Sequence, residues 1–131
     1  MTNYSRFLVI IAAVFTISTA SAVKNYTVTN NATLITGVDF YSFTDLLSSN
    51  LVAVGSTKAL TTADASNYVN IRPYPSGAWS GPVIRVALEQ IKDSKFTINS
   101  ITPSPNKIKL DVQSGGTSIG SGTFINRNKG F

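Results

Sequence analysis

Short β-type runs recur along most of the chain, each closed by a cluster of Gly, Pro, Asn or Ser, and this punctuation points to strands and turns. Residues 26–29 (YTVT) alternate and are rich in β-formers. Residues 33–43 (TLITGVDFYSF) are apolar and aromatic, with Gly37 expected at a bulge or turn. A short strand at 51–54 is closed by Gly55-Ser56, and residues 68–74 (YVNIRPY) alternate until Pro73 withdraws a ladder donor. Residues 96–98 and 107–112 flank the loop Thr102-Pro103-Ser104-Pro105-Asn106, and residues 113–116 (QSGG) read as a turn. The short strands at 117–119 and 123–125 are separated by Gly120-Ser121-Gly122, which reads as a flexible hairpin or edge segment.

Residues 83–93 (VIRVALEQIKD) depart from this rhythm. At 100° per residue Val83, Ile84, Ala87, Leu88 and Ile91 share one arc, with Arg85, Glu89, Gln90, Lys92 and Asp93 opposite. Val86 is the one apolar residue off the arc. Ser80 is placed to cap such a helix, and Pro82 suits its first turn. The spacing thus predicts an amphipathic helix over 83–92 that buries Ile84, Ala87, Leu88 and Ile91. A strand with Ile84, Val86 and Leu88 on one face is the alternative. Thr44 and Thr62 are placed to cap shorter helical turns over 45–48 and 63–67. The expected fold is mainly β, an antiparallel β-sandwich or a sheet with one helix packed on it, with an α+β arrangement as the alternative.

Residues 1–22 have the pattern of a secretory signal peptide: a short start with Arg6, an apolar run at 7–17 (FLVIIAAVFTI), and small residues at Ala20 and Ala22. Cleavage after Ala22 would leave residues 23–131 as one β-rich domain. A retained anchor is the competing reading, although the uncharged stretch falls short of the ~20 apolar residues that a spanning helix needs. Two sequons, at Asn25 and Asn31, offer glycosylation sites in an exported eukaryotic chain.

The 131 residues contain no Cys and no His. Disulfides, thiol chemistry, a Ser-His-Asp triad and the usual zinc sets are therefore out of reach. No cofactor or metal site is expected. Only 13% of residues are charged, and the net charge of +5 comes from scattered single Lys and Arg rather than a stripe, so no nucleic-acid face is expected. Weak attraction to acidic polysaccharide or anionic membrane is compatible with that charge. Of the carboxylates, Glu89 and Asp93 read as a solvated face. Asp39 lies on the outward side of its run, between Val38 and Phe40. The Gly-rich stretch 115–122 lacks the Gly-Lys-Ser/Thr ending of a phosphate loop.

One segment concentrates recognition chemistry. Residues 72–79 (RPYPSGAW) hold Arg72, Tyr74 and the chain's one Trp, Trp79, in a proline-stiffened loop. Rigid flat rings can stack on a sugar or pack on a protein partner. The opposing reading is that Trp79 is a core plug. Arg72, Tyr74 and Trp79 are the candidate ligand-binding residues.

Residues 22–40 (AVKNYTVTNNATLITGVDF) resemble the start of the mature chain in the plant basic secretory protein family, through Tyr26-Thr27-Val28-Thr29-Asn30-Asn31-Ala32 and Gly37-Val38-x-Phe40. The resemblance implies secretion and a plant source. That family is similar to zinc peptidases through a His-Glu-x-x-His helix, and this chain has no His, so neither site residues nor activity carry over. Three functions follow as expectations. The first is a secreted, non-enzymatic domain of glycan-binding, wall-binding or defence type, with polysaccharide or another protein as partner. The second is a self-assembling surface or filament protein, a homo-oligomer. The third is a carboxylate-dependent hydrolase.

Overall fold

A computed structural model of the chain describes residues 23–127, so the expected signal segment at 1–22 lies outside the described residues. Ten strands form two sheets. In chain order they are β1 (Val23–Asn31), β2 (Thr36–Tyr41), β3 (Leu46–Val52), β4 (Thr57–Ala63), β5 (Tyr68–Pro73), β6 (Trp79–Ser80), β7 (Ile84–Ala87), β8 (Lys95–Ile101), β9 (Lys107–Ser114) and β10 (Thr117–Asn126). The six-stranded sheet runs β4-β1-β8-β9-β10-β6 and the four-stranded sheet runs β3-β2-β5-β7. Their inner faces share one core, in which Val28, Ile98 and Leu110 of the first sheet meet Val38, Phe40 and Ile71 of the second. The arrangement is sandwich-like. One expectation of pairing is corrected: β1 and β8 run parallel, while every other adjacent pair is antiparallel.

The amphipathic helix expected over 83–92 does not form. Residues Ile84–Ala87 are β7, paired antiparallel to β5, and two short 3-10 turns follow at Leu88–Gln90 and Lys92–Ser94. The burial follows the strand alternative: Ile84, Val86 and Leu88 are buried, while Ala87 and Ile91 are only half-buried. Val86, the exception to the helical arc, belongs to the buried face. Val83, Ile84 and Val86 are β-branched and stiff at χ1, which favours a pleated surface once β5 offers its edge. The helical turns expected over 45–48 and 63–67 are absent as well, because β3 begins at Leu46 and β4 runs to Ala63.

Gly37 is neither bulge nor turn. It sits within β2, opposite Leu51 and Arg72, and the bulge of this hairpin lies between Phe40 and Tyr41. The two short strands expected at 117–119 and 123–125 are one strand, β10, with an irregularity between Ser118 and Gly120. Gly120 and Gly122 have a packing reason. A Cβ on either would come within 2.9 Å of the Ile84 side chain. The bare backbone lets β10 close on β7 along that side of the sandwich. Gly122→Ala should therefore destabilise by about 1–3 kcal/mol through overpacking. Gly77→Ala, with open space around it, should stay within about 0.5 kcal/mol. Urea denaturation of the two variants measures the difference.

Asn30, fully buried at the end of β1, holds the chain where it crosses between sheets. Its Nδ2 donates to the carbonyls of Leu34 (3.0 Å) and Val52 (2.9 Å), and its Oδ1 accepts from the Ala32 N–H (2.9 Å). Asn30→Ala would remove the side-chain partner of two buried backbone groups and one half-buried one, each buried loss worth about 1–3 kcal/mol. We expect a loss of at least about 3 kcal/mol, against no more than about 0.5 kcal/mol for Asn31→Ala on the exposed neighbour. Equal midpoints in a denaturant titration would contradict this role for Asn30.

Tyr26 is buried on the inner face of β1 and stacks on Phe40 of the facing sheet, ring centroids 5.4 Å apart. Removal of its phenol from water pushes its pKa above the usual tyrosine value. The neutral form is the one that the fold accommodates. Its contribution is therefore complete below the unfolded tyrosine pKa of about 10 and is lost as pH rises through the higher folded value. Thermal melts across the alkaline range should show the loss of stability above about pH 10, and Tyr26→Phe should shrink it.

Candidate functional site

The segments that bound the candidate site meet at one end of the sandwich, here called the upper end. β5 delivers Pro73 opposite Thr36, and the chain then turns through residues 74–75 and the 3-10 turn Ser76–Ala78 into β6. The turn is fixed by backbone hydrogen bonds. Tyr74 N–H donates to Ile35 (2.9 Å), Ala78 N–H to Pro75 (3.1 Å), and Arg127 N–H to Ala78 (2.8 Å). Trp79 and Ser80 then pair with Asn126 and Ile125 at the end of β10. The next residue, Gly81, lies against β10 so closely that a Cβ would stand 2.5 Å from the Thr123 carbonyl oxygen.

Between this loop and β10 lies a cleft of about 230 Å³. Trp79, Phe124 and Val83 give it apolar wall, and Ser76 and Arg127 give it polar wall. Trp79 is half-buried: it packs against the core and also lines the cleft. The ligand and plug readings of this residue therefore describe two parts of one side chain. No salt bridge, hydrogen bond or ring contact engages the Arg127 guanidinium among the described residues.

Of the three residues singled out from sequence, the structure brings two, Arg72 and Trp79, to this cleft. Tyr74 is 46% exposed and lies outside the cleft lining, on the same loop. Arg72 is committed elsewhere. Its side chain crosses Gly37, and its Nη2 meets Asp39 Oδ2 at 3.2 Å. Asp39 is on the outward side of β2 as expected, but it is buried, with Oδ1 accepting 2.7 Å from the Ser49 hydroxyl. Arg127, Ser76 and Phe124 were not legible as site residues. Phe124 is separated from the loop by 45 positions in sequence, and no local motif marks that it returns there; only the β10–β6 pairing does so.

The carboxylates do not converge. Asp39 is on the outer side of the four-stranded sheet. Asp111 is on the outer side of the six-stranded sheet, where it accepts from Ser118 Oγ (2.6 Å) and Gln113 Nε2 (2.9 Å). Asp45, Asp64, Glu89 and Asp93 sit in the turns at the lower end. Among the described residues no three His, Cys, Asp or Glu cluster as metal ligands, and no helix is long and apolar enough to cross a membrane. Asn25 and Asn31 are both exposed on the outer face of β1, and Asn25 Oδ1 accepts from the Thr61 hydroxyl (2.9 Å). Comparison with protein-family models, curated proteins and solved structures finds no match to this chain.

Proposed function

We propose that this chain is a secreted, non-enzymatic domain that binds a glycan through the upper-end loop. One observation carries this reading. Trp79 presents part of its ring to a cleft whose polar groups include Ser76, Arg127 and the Asp39-paired Arg72, while its remainder is fixed by the core. A half-anchored indole offers apolar area at small entropic cost, and the polar groups beside it suit sugar hydroxyls. The signal pattern at 1–22 supports export, as does the resemblance of residues 22–40 to a secreted family. Glycans on Asn25 and Asn31 would project from the outer side of the six-stranded sheet. The scattered acids, four of them in lower-end turns and two hydrogen-bonded on opposite faces, argue against a paired-carboxylate hydrolase.

The test is calorimetric titration with a panel of soluble polysaccharides. Tyr74→Ala should leave the melting temperature unchanged and weaken binding about five- to a hundred-fold if the ring caps the bound sugar. Trp79→Leu keeps apolar packing but removes the flat ring, and should weaken binding by a similar factor. Unchanged affinity in both variants would make the loop a structural plug.

Self-assembly is the second reading, and a different observation favours it. β6 pairs with only the last two residues of β10, so Thr117–Thr123, packed on β7 but without a ladder partner on that side among the described residues, form an edge without a charged side chain. Leu46, Leu51 and Val54 are also exposed on and after β3. Concentration-dependent growth in size-exclusion chromatography would support this reading over the first.

A further inference from the structure

We infer that the upper-end cleft selects a carboxylate-bearing glycan, a polymer containing uronic acid, over a neutral one. This rests on the glycan-binding reading above and goes beyond it in the chemistry of the sugar.

The argument starts from how the fold sorts charge. The sequence scatters Lys and Arg singly, and the fold divides them: Lys24, Arg85, Lys92 and Lys95 lie toward the lower end, beside the exposed acids that offset them, while the rest of those described lie at the upper end. Lys58 near the start of β4, Arg72 near the end of β5, Lys107 and Lys109 at the start of β9, and Arg127 after β10 all belong to the upper end. The exposed acids go the other way. Asp45 is in the β2–β3 turn, Asp64 in the β4–β5 turn, and Glu89 and Asp93 lie between β7 and β8, all at the lower end. The two remaining acids are buried and already hydrogen-bonded, Asp39 by Arg72 and Ser49, Asp111 by Ser118 and Gln113. A strand of seven residues such as β3 separates the ends by about 20 Å. That is more than twice the screening length of about 8 Å at physiological salt, so the lower-end acids do not cancel the field at the cleft. A net charge that looked diffuse in the sequence is a directed one in the fold.

The cleft then gives this field a geometry. Arg72 is neutralised by Asp39, which leaves Arg127 as the cation lining the cleft without an acidic partner among the described residues. Its planar fork matches a carboxylate. Trp79 beside it offers the apolar surface for a pyranose ring. Lys107 extends the same row, since Ser80 pairs with Ile125 and Ile125 with Lys107. Its strand, β9, pairs directly with β10, so Lys107 lies one strand over and two residues along from Arg127, a backbone separation of about 8 Å. That spacing fits successive charges along a polymer rather than one isolated ion.

The experiment uses the full chain and three probes, polygalacturonate, neutral hydroxyethyl cellulose and dextran sulfate, in calorimetric titration at low and at physiological salt. We expect polygalacturonate to bind tightest, with affinity that falls as salt rises. Arg127→Gln should weaken it at least about tenfold, the loss of one charge-assisted hydrogen bond, with an unchanged melting temperature because the Ala78 contact uses only the backbone. Lys107→Gln should weaken it less, and Lys95→Gln at the lower end should leave it unchanged. Tighter binding of the neutral polymer would overturn the inference while leaving the glycan-binding reading intact. Equal binding of dextran sulfate, or equal loss in Arg127→Gln and Lys95→Gln, would reduce the effect to bulk charge and overturn it as well. Failure to bind any of the three, with binding instead to vesicles of anionic lipid, would overturn both.

Discussion

The buried amide of Asn30 is the point from which the upper end is built. Two of the crossovers between the sheets pass it, β1 into β2 and β3 into β4. Its side chain satisfies one backbone group from each of Ala32, Leu34 and Val52. Its own backbone exchanges hydrogen bonds with the β3–β4 turn, through Ser56 and Gly55. An apolar residue of similar size would fill the space and leave those groups orphaned, so the position specifies an amide rather than bulk. The tie continues outward. Leu34 and Ile35 are held by this cluster, and Ile35 in turn accepts from Tyr74 at the start of the cleft loop. The recognition loop is thus anchored, two contacts removed, to a polar group in the core.

The outer faces show how a thinly charged chain orders its polar groups, with Asn70 Oδ1 on the four-stranded sheet left buried without a hydrogen-bond partner among the described residues. On the four-stranded sheet Tyr41 stacks on Tyr68 across the strands at 5.3 Å, and the Arg85 guanidinium lies 4.2 Å from the Tyr68 ring centre. Such stacks add order to a face through dispersion and cation–π attraction. On the six-stranded sheet the same office falls to neutral hydroxyls and amides, with Thr29 hydrogen-bonded to Thr57 and Thr61 to Asn25. Neither face spends an unpaired exposed acid, which is why the acids could segregate to the lower turns.

The strands were legible where alternation and turn residues agreed. Residues 68–73 became β5 with Pro73 at its end, and of the turn expected over 113–116 Gly115-Gly116 separate β9 from β10 while Gln113 and Ser114 are paired within β9. Residues 83–93 misled because their apolar residues satisfy two periods at once. At period 3.6 Val86 is an outlier, and at period 2 it is central; the unpaired edge of β5 decided between them. Gly120 and Gly122 read as flexibility because the facing Ile84 is not visible in one dimension. The candidate site was half legible. The loop of Arg72 and Trp79 announced itself by composition, whereas Arg127 and Phe124 reach the cleft only through the strand order of the six-stranded sheet. Asn30 was hidden because a buried amide carries no pattern that separates it from exposed Asn31.

The parallel pairing of β1 with β8 has a consequence for how the chain reaches this state. One side of β1 is covered by β4, close in sequence, but its other side waits for Lys95–Asn99. During synthesis roughly 70 residues must emerge between the two halves of that pair, about 4–14 s at ribosomal rates of 5–20 residues per second. Through that interval the nascent chain carries a strand with an unsatisfied ladder in the middle of its future sheet. The molecule therefore has high contact order and a slow, late-closing assembly step. Its hazard of mispairing with a neighbouring copy is greatest before β8 arrives, when the native β1 edge is still open.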